Sequence, residues 1–206
     1  MGRIYYLFGK SASGKDSIYN QLIRDTSLNL KRVVLYTTRP IRTGEEEGVE
    51  YHFTNEEGVA ALEEAGRIIE MRAYHTVYGI WKYLMVSDDG LDLEQNDYLM
   101  AGTLESFANT RAYFGSDRVI PFYIYVEDGE RLSRALRRER KQEHPKYAEL
   151  CRRFLSDEQD FCEENLKKEG ITTRYENVDM HECIGEIAEA IRQYRKEDPA
   201  CRNFKI

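Results

Sequence analysis

The sequence predicts an α/β fold in which a mostly parallel sheet lies between two layers of helices. Short runs of β-branched and aromatic residues alternate along the chain with longer segments of helical periodicity. Such alternation favours right-handed crossovers, which place parallel strands in one sheet and helices on both of its faces. The chain has 206 residues, of which 41% are hydrophobic, and this suits one packed domain over residues 1–206.

The first strand and the helix after it enclose a glycine-containing loop. Residues 3–8 predict a buried strand that ends at Gly9, and after Gly14 the spacing of Ile18 and Leu22 predicts an amphipathic helix. The same criteria predict further strands at residues 32–37, 97–101, 119–126 and 174–177. Helical periodicity is found at residues 56–65, 104–114, 130–141, 148–168 and 182–195.

Two segments depart from this alternation. Residues 43–81 contain stretches of alternating polarity at 49–54 and 68–74, which predict a small antiparallel sheet inserted into the core. Residues 131–153 carry nine basic and three acidic residues, with His144 and Pro145 in the middle. We interpret this second segment as a mobile basic flap that acts as a lid.

Composition excludes several classes of protein. The chain has 30 Lys and Arg residues against 37 Asp and Glu, a net charge of −7, which argues against a coat for nucleic acid or anionic membrane. No stretch approaches the roughly 18 apolar residues of a membrane span, and no secretory segment opens the chain. The four Cys and four His residues show no metal-binding spacing. We expect a cytoplasmic protein without membrane or nucleic-acid partners.

The loop after the first strand fits the phosphate-binding pattern GxxxxGK. Its glycines let backbone N–H groups face one anion, while Lys15 and the helix N-terminus add positive charge. The candidate nucleotide-binding residues are Gly9, Lys10, Ser11, Ala12, Ser13, Gly14, Lys15, Asp16 and Ser17. Asp16 stands where Ser or Thr normally holds Mg²⁺. We hypothesise that Asp16 ligates Mg²⁺ directly or through water, the alternative being a helix-capping acid.

A second anion site is predicted by an arginine and tyrosine cluster. Arg39 and Arg42 flank Pro40, and Tyr51 follows. Forked guanidinium donors and a phenol hydroxyl can surround a phosphate, which suits a phosphoryl acceptor.

Residues 37–53 match the pattern TTRxxRxGExxGxxYxF at every fixed position, and with the phosphate loop the chain resembles the guanylate kinases over about residues 3–195. The resemblance implies a P-loop nucleoside monophosphate kinase that uses ATP and Mg²⁺ to convert GMP to GDP. It implies one domain with a core, an acceptor-binding insert and a lid. The core would comprise residues 1–36, 96–128 and 170–196, the insert residues 37–90 and the lid residues 130–165.

The resemblance also implies roles for individual residues. Lys15, Arg39, Arg138 and Arg153 would be catalytic. The acceptor would be bound by Arg39, Arg42, Glu45, Tyr51, Glu70 and Tyr78, with Glu70 against the guanine edge. Arg134 and Arg138 would close over the donor, Asn177 would lie beside adenine, and Arg153, or alternatively Arg152, would bridge the two ligands' phosphates.

The chain departs from the family at polar positions of the acceptor site. Leu35 and Ile80 replace expected serines, and residues 98–103, which correspond to a strand with two aspartates, contain no acid. Asp16 is a candidate replacement for the acid near Mg²⁺. The phosphate loop and the acid-free strand also resemble ribose 1,5-bisphosphate kinases, which gives a second candidate function, and a non-catalytic binding module is the third. The expected partners are ATP and a small phosphorylated acceptor, bound by a monomer or a homodimer.

Overall fold

This computed structural model describes residues 1–42, 44–76, 79–88 and 90–196. Their strands form two β-sheets. The strands are β1 (Ile4–Phe8), β2 (Leu30–Arg32), β3 (Leu35–Thr37), β4 (Tyr51–Phe53), β5 (Ile68–Thr76), β6 (Gly79–Val86), β7 (Asp97–Gly102), β8 (Val119–Tyr125) and β9 (Arg174–Glu176). The helices are α1 (Lys15–Arg24), α2 (Glu56–Glu64), α3 (Leu104–Phe114), α4 (Asp128–Glu139), α5 (Tyr147–Asp160), α6 (Glu163–Lys168) and α7 (Met180–Lys196).

The core sheet has the strand order β2-β7-β1-β8-β9, and all of its pairs are parallel. Phe8 and Phe107 pack between one face of the sheet and α3, and Ile18 and Ile187 pack between the other face and helices α1 and α7. The predicted three-layer α/β fold is therefore confirmed. In such a sheet, ligands bind at the carboxyl ends of the strands, which here include Gly9 after β1 and the end of β7.

The insert sheet has the order β4-β3-β6-β5. The β3–β6 and β5–β6 pairs are antiparallel, whereas β3 and β4 are parallel, so the sheet is mixed rather than purely antiparallel as predicted. Val59 of α2 packs on one face of this sheet against Leu84 and Val86. The sequence pattern missed β6, whose residues pair along most of β5.

Two predicted elements are each divided in the structure. The strand predicted over residues 32–37 is two strands, because the chain leaves the core sheet after β2 and enters the insert sheet at β3. The core therefore ends before residue 36. The helix predicted over residues 148–168 is α5 followed by α6, because Phe161 turns into the core and stacks on Tyr123. No helix of the described residues is long and apolar enough to cross a bilayer.

The predicted basic flap consists of α4, α5 and the turn between them. Arg131, counted among the nine cations of the flap, is instead almost fully buried. Its guanidinium lies 3.0 Å from Asp157 and 2.7 Å from Glu158, both on α5. The first residue of the predicted flap is therefore buried, and its charge joins the two helices.

Candidate functional site

The phosphate loop curls because two of its residues take left-handed backbone conformations. Gly14 has a φ of 86° and Ala12 a φ of 64°. Alternation of right-handed and left-handed residues turns successive N–H groups toward one side, which makes a concave anion site at the start of α1. The loop is closed internally by a hydrogen bond of 3.1 Å from the N–H of Ser13 to the carbonyl of Lys10.

Asn177 supports this loop from the core side. Its Nδ2 donates to the carbonyl oxygen of Ser13 over 2.7 Å, and a Cβ at Gly14 would collide with the same amide. The side chain is 3% exposed. Asn177 therefore helps to shape the phosphate loop, while its expected contact with adenine stays a prediction.

A cavity of about 560 Å³ lies between the phosphate loop, the end of β7 and the insert sheet. The loop contributes Lys15 and Asp16, and the insert sheet contributes Tyr51 together with Arg72 and Trp81. The structure therefore brings the phosphate loop and Tyr51 to one cavity, whereas Arg39, Arg42 and Glu45 are not among the residues that line it.

Asp16 stands at this cavity with a side chain that is 82% exposed, and its Oδ1 lies 2.7 Å from Lys15 Nζ. No group of three or more His, Cys, Asp or Glu side chains among the described residues could hold a metal. At phosphate sites Mg²⁺ is usually held by one or two carboxylates, with phosphates and water completing the shell. The exposed carboxylate of Asp16 fits that mode of binding, and it does not fit an all-protein cage.

Arg39 is held in one orientation by Glu45. The Arg39 side chain is 3% exposed, and its Nη2 and Nη1 lie 2.8 and 3.0 Å from the two oxygens of Glu45. The guanidinium carbon is 5.3 Å from the ring centre of Tyr51. Glu45 also accepts a hydrogen bond of 2.8 Å from the N–H of Arg42. The hydrogen bonds from Arg39, and next the one from Arg42, hold the pKa of Glu45 below its ordinary value.

Glu70 is buried beneath the insert sheet rather than exposed in the cavity. Its Oε1 accepts a hydrogen bond of 2.9 Å from Ser106 and lies 3.1 Å from Nη2 of Arg72. Ser106 in turn accepts a hydrogen bond of 2.6 Å from Tyr6. Arg72, which the sequence reasoning missed, lines the cavity instead. Tyr78, expected beside the acceptor phosphate, lies outside the described residues.

The lid brings two of the predicted arginines together. Arg138 of α4 and Arg153 of α5 line one small cleft with Ser11 of the phosphate loop. Arg152 and Arg153 both pair with Glu149, at 2.7 and 3.1 Å, but Arg153 lines the cleft and Arg152 does not. Arg134 lies apart from this cleft and donates a hydrogen bond of 2.9 Å to the carbonyl of Asn177.

Acidic residues of α5, which the sequence reasoning also missed, contact the phosphate loop. Asp157 accepts a hydrogen bond of 2.8 Å from the N–H of Ser11. Lys10, predicted to bind phosphate, lies 2.6 Å from Glu158 and 3.2 Å from Asp128. Single acids in a helix of mixed charge give no sequence signal for such contacts, because the partners lie more than 100 residues away.

The family model for guanylate kinase matches residues 1–83. The guanylate kinase of Alkalilimnicola ehrlichii is 41% identical over 70 residues, which cover 34% of this chain and 34% of the relative. The guanylate kinase of Saccharophagus degradans is 38% identical over 82 residues, which cover 39% of this chain and 40% of the relative. The chain thus spans well under half of the length of these curated relatives.

The fold likeness extends much further along the chain. The crystal structure of guanylate kinase from Anaplasma phagocytophilum matches with a TM-score of 0.64 at 21% identity, over 98% of this chain and 89% of that one. The phosphate loop and the arginine and tyrosine cluster both lie within the matched residues 1–83. The family model thus matches less than half of the chain, whereas the fold as a whole is that of the guanylate kinase structure.

Proposed function

We propose that this protein transfers the γ-phosphoryl group of ATP to a nucleoside monophosphate, with GMP as the favoured acceptor and GDP and ADP as products. One observation carries the proposal: Lys15 of the phosphate loop and Tyr51 of the arginine and tyrosine cluster line the same cavity. Phosphoryl transfer depends mainly on alignment and on positive charge around the transferred group. A shared cavity between two anion sites supplies the alignment.

At the donor end, the loop amides and Lys15 hold the ATP phosphates. At the acceptor end, Arg39, Arg42 and Tyr51 hold the acceptor phosphate, and Glu45 fixes the direction of Arg39. An oxygen of the acceptor phosphate attacks the γ-phosphorus while the bond from that phosphorus to the β,γ-bridging oxygen of ADP breaks. The attacking phosphate is already an anion, so no general base is required.

The lid supplies the remaining positive charge. Arg138 and Arg153 border the phosphate loop at Ser11, where they face the transferred group once both ligands are bound. Arg134 connects α4 to the carbonyl of Asn177 and so keeps the lid beside the loop. Closure of such a segment also excludes water, which suppresses hydrolysis of ATP.

Mg²⁺ is the proposed cofactor, and Asp16 is the residue that would hold it. The cation supplies charge neutralisation between the phosphates of ATP when it is bound. Asp16 contributes an exposed carboxylate beside Lys15, directly or through water. Tyr78 is proposed beside the acceptor phosphate on the family resemblance alone.

A second candidate function is the phosphorylation of ribose 1,5-bisphosphate. It is favoured by the end of β7, where Ala101 and Gly102 line the cavity in place of the family's acids. A Cβ at Gly102 would collide with the hydroxyl of Tyr6, so this strand end cannot carry a larger side chain without displacing that tyrosine. The aromatic wall of the cavity suits a planar base better than a sugar.

The test is a coupled assay of ADP release with GMP, dGMP, AMP, UMP and ribose 1,5-bisphosphate. We expect turnover with GMP, and a Lys15→Met variant should lose at least about a hundredfold in kcat because it lacks the positive charge on the phosphates. The matched control is Lys31→Met, an exposed lysine on β2. Both variants should unfold thermally like the parent. Turnover of no acceptor would refute both kinase functions and favour a binding module.

A further inference from the structure

A buried ion pair borders the cavity at the end distant from the phosphates. Glu70 and Arg72 lie two residues apart on one face of β5, and Tyr74 continues that face. The Glu70 side chain is fully buried, whereas that of Arg72 is 13% exposed and lines the cavity. The arginine is therefore the member of the pair that a ligand in the cavity would contact.

This pair is incompletely hydrogen-bonded in the described structure. Oε2 of Glu70 and Nε of Arg72 are buried and have no hydrogen-bond partner. Burial by itself would lower the pKa of Arg72, but the negative charge of Glu70 raises it overall, so the guanidinium stays charged. Unpaired buried polar groups are costly and uncommon in native proteins. A donor left unsatisfied next to a cavity indicates that a ligand completes the network.

The walls around Arg72 fit a planar ring. In the antiparallel register Arg72 lies opposite Tyr83, and Tyr74 lies opposite Trp81, so these side chains share one face of the sheet. Tyr51 borders the same face, with its ring centre 5.6 Å from that of Tyr83. Aromatic side chains of this kind stack on nucleobases.

The polar groups that the family resemblance implies for the base are absent. Leu35 presents an apolar side chain to the cavity, and Ile80 is exposed. Oε1 of Glu70 contacts Ser106 and Arg72, and Glu70 is not among the residues that line the cavity. At the insert sheet, a ligand edge therefore meets the N–H donors of Arg72 in place of the expected serine hydroxyls and the Glu70 carboxylate.

On the basis of the proposed function, we propose that Arg72 is the residue that selects the base, and that the acceptors are 6-oxopurine nucleoside monophosphates, GMP and IMP alike. The guanidinium fork donates to O6 and N7, two adjacent acceptors that guanine and hypoxanthine share. Adenine carries an amino donor beside N7, so the second N–H donor of the guanidinium would face a donor instead of an acceptor. Glu70 is a positioning residue that holds the fork in its plane.

The experiment compares kcat/KM for GMP, IMP and AMP in the parent protein and in Arg72→Met, with Arg67→Met as control. Arg67 is an exposed arginine that precedes β5. We expect the parent to use IMP within about tenfold of GMP and to disfavour AMP at least about a hundredfold. Arg72→Met should reduce the values for GMP and IMP by about tenfold to a hundredfold, without reducing that for AMP. Arg67→Met should leave all three unchanged.

Arg72→Met leaves Glu70 buried without its cation, so a variant that keeps the charge is also required. Arg72→Lys preserves a cation beside Glu70 and removes the planar fork. It should unfold thermally like the parent and still lose selectivity between GMP and AMP. Unchanged selectivity in a folded Arg72→Lys protein would overturn the proposal. A preference for GMP over IMP greater than about a hundredfold would also overturn it, because another residue would then recognise the 2-amino group of guanine.

Nucleotide binding separates this proposal from the proposed function. Trp81, the single tryptophan of the chain, lines the cavity and reports acceptor binding by fluorescence. Binding of GMP and IMP over AMP, lost in Arg72→Lys, would support base selection even if turnover were absent. Turnover of GMP with selectivity independent of Arg72 would overturn base selection alone. Binding of no nucleotide, or faster turnover of ribose 1,5-bisphosphate than of GMP, would overturn both.

Discussion

Ala12 holds a backbone conformation that favours glycine, with a φ of 64° in the middle of the phosphate loop. A left-handed conformation costs an L-residue roughly 1–2 kcal/mol, and glycine avoids that cost. Part of the gain is offset because glycine has more conformational freedom to lose from the unfolded chain. Ala12→Gly should therefore increase the free energy of unfolding by about 0.5–1 kcal/mol in urea titrations. Ala61→Gly, in the exposed middle of α2, should decrease it by roughly 1 kcal/mol. A loss of stability in Ala12→Gly would show that the loop is unstrained.

The Arg39–Glu45 pair makes stability depend on pH in a defined direction. The pKa of Glu45 is lowered in the folded protein from an ordinary value of 4.5, chiefly by hydrogen bonds from Arg39. A carboxylate with a lowered folded-state pKa stabilises the fold above that ordinary value and loses the effect as pH falls through the lowered one. At pH 7 the parent should therefore be more stable than Glu45→Gln.

The difference should vanish under acid conditions. Urea titrations between pH 7 and pH 3 should show the two free energies of unfolding converging below the ordinary pKa of 4.5. The exposed Glu64→Gln should show no such convergence. A constant difference between the parent and Glu45→Gln at all pH values would mean that the Glu45 charge adds nothing to the fold.

Among the elements, α4 and α5 are joined by Arg131. Its guanidinium contacts Asp128, Asp157 and Glu158, and it lies 4.3 Å from the ring centre of Phe154. Arg131→Met keeps much of the volume but removes the cation that contacts Asp157, while Lys10 still contacts Asp128 and Glu158. We expect a loss of roughly 2–4 kcal/mol in the free energy of unfolding, because removing one partner of a buried pair leaves uncompensated charge.

The control for this element is Arg137→Met. Arg137 lies on the same helix, is 64% exposed and pairs with Glu130 at 3.3 Å. An exposed pair of this kind contributes about 0–1 kcal/mol, so the control should unfold close to the parent. Equal effects of the two substitutions would contradict the role of Arg131 as the link between the helices.

The order of core elements could be predicted because each carries its own local pattern. The apolar run at residues 4–8 and the spacing of Ile18 and Leu22 depend on no distant partner. The division between β2 and β3 could not be predicted, because Val33 and Val34 continue the apolar run from one strand to the other. The sequence does not show that the two strands pair in different sheets. The burial of Arg131 could not be predicted for the same reason: its partners on α5 lie 26 and 27 residues further along the chain.

At the candidate site, sequence patterns identified the groups that we propose for phosphate binding and missed those at the other end of the cavity. Lys15 and Arg39 belong to motifs with fixed spacing, so their positions could be anticipated. Arg72 belongs to no motif, and only the register of β5 against β6 reveals that it lies beside the cavity. Glu70 was expected at the surface of that cavity, but the hydroxyl of Ser106 and the guanidinium of Arg72 hold it below the surface.

Across the whole molecule, one chain of hydrogen bonds connects the core sheet to the insert sheet. Tyr6 of β1 donates to Ser106 of α3 over 2.6 Å, and Ser106 donates to Glu70 of β5 over 2.9 Å. Burial raises the pKa of Tyr6, so its hydroxyl stays protonated and remains a donor. The end of the cavity that we propose for the base is thereby connected to the core sheet.

Tyr6→Phe removes the first bond of this chain without changing the packing of the ring. We expect the free energy of unfolding to fall by about 0.5–1.5 kcal/mol, the net contribution of one such hydrogen bond. Because Glu70 positions Arg72, the KM for GMP should rise while the KM for ATP stays unchanged. Tyr5→Phe is the matched control, since Tyr5 is the adjacent residue on the other face of β1 and its buried hydroxyl has no hydrogen-bond partner among the described residues. It should leave both KM values unchanged and not reduce stability. Equal shifts in the two KM values for Tyr6→Phe would mean that the hydroxyl stabilises the molecule without coupling its two sheets.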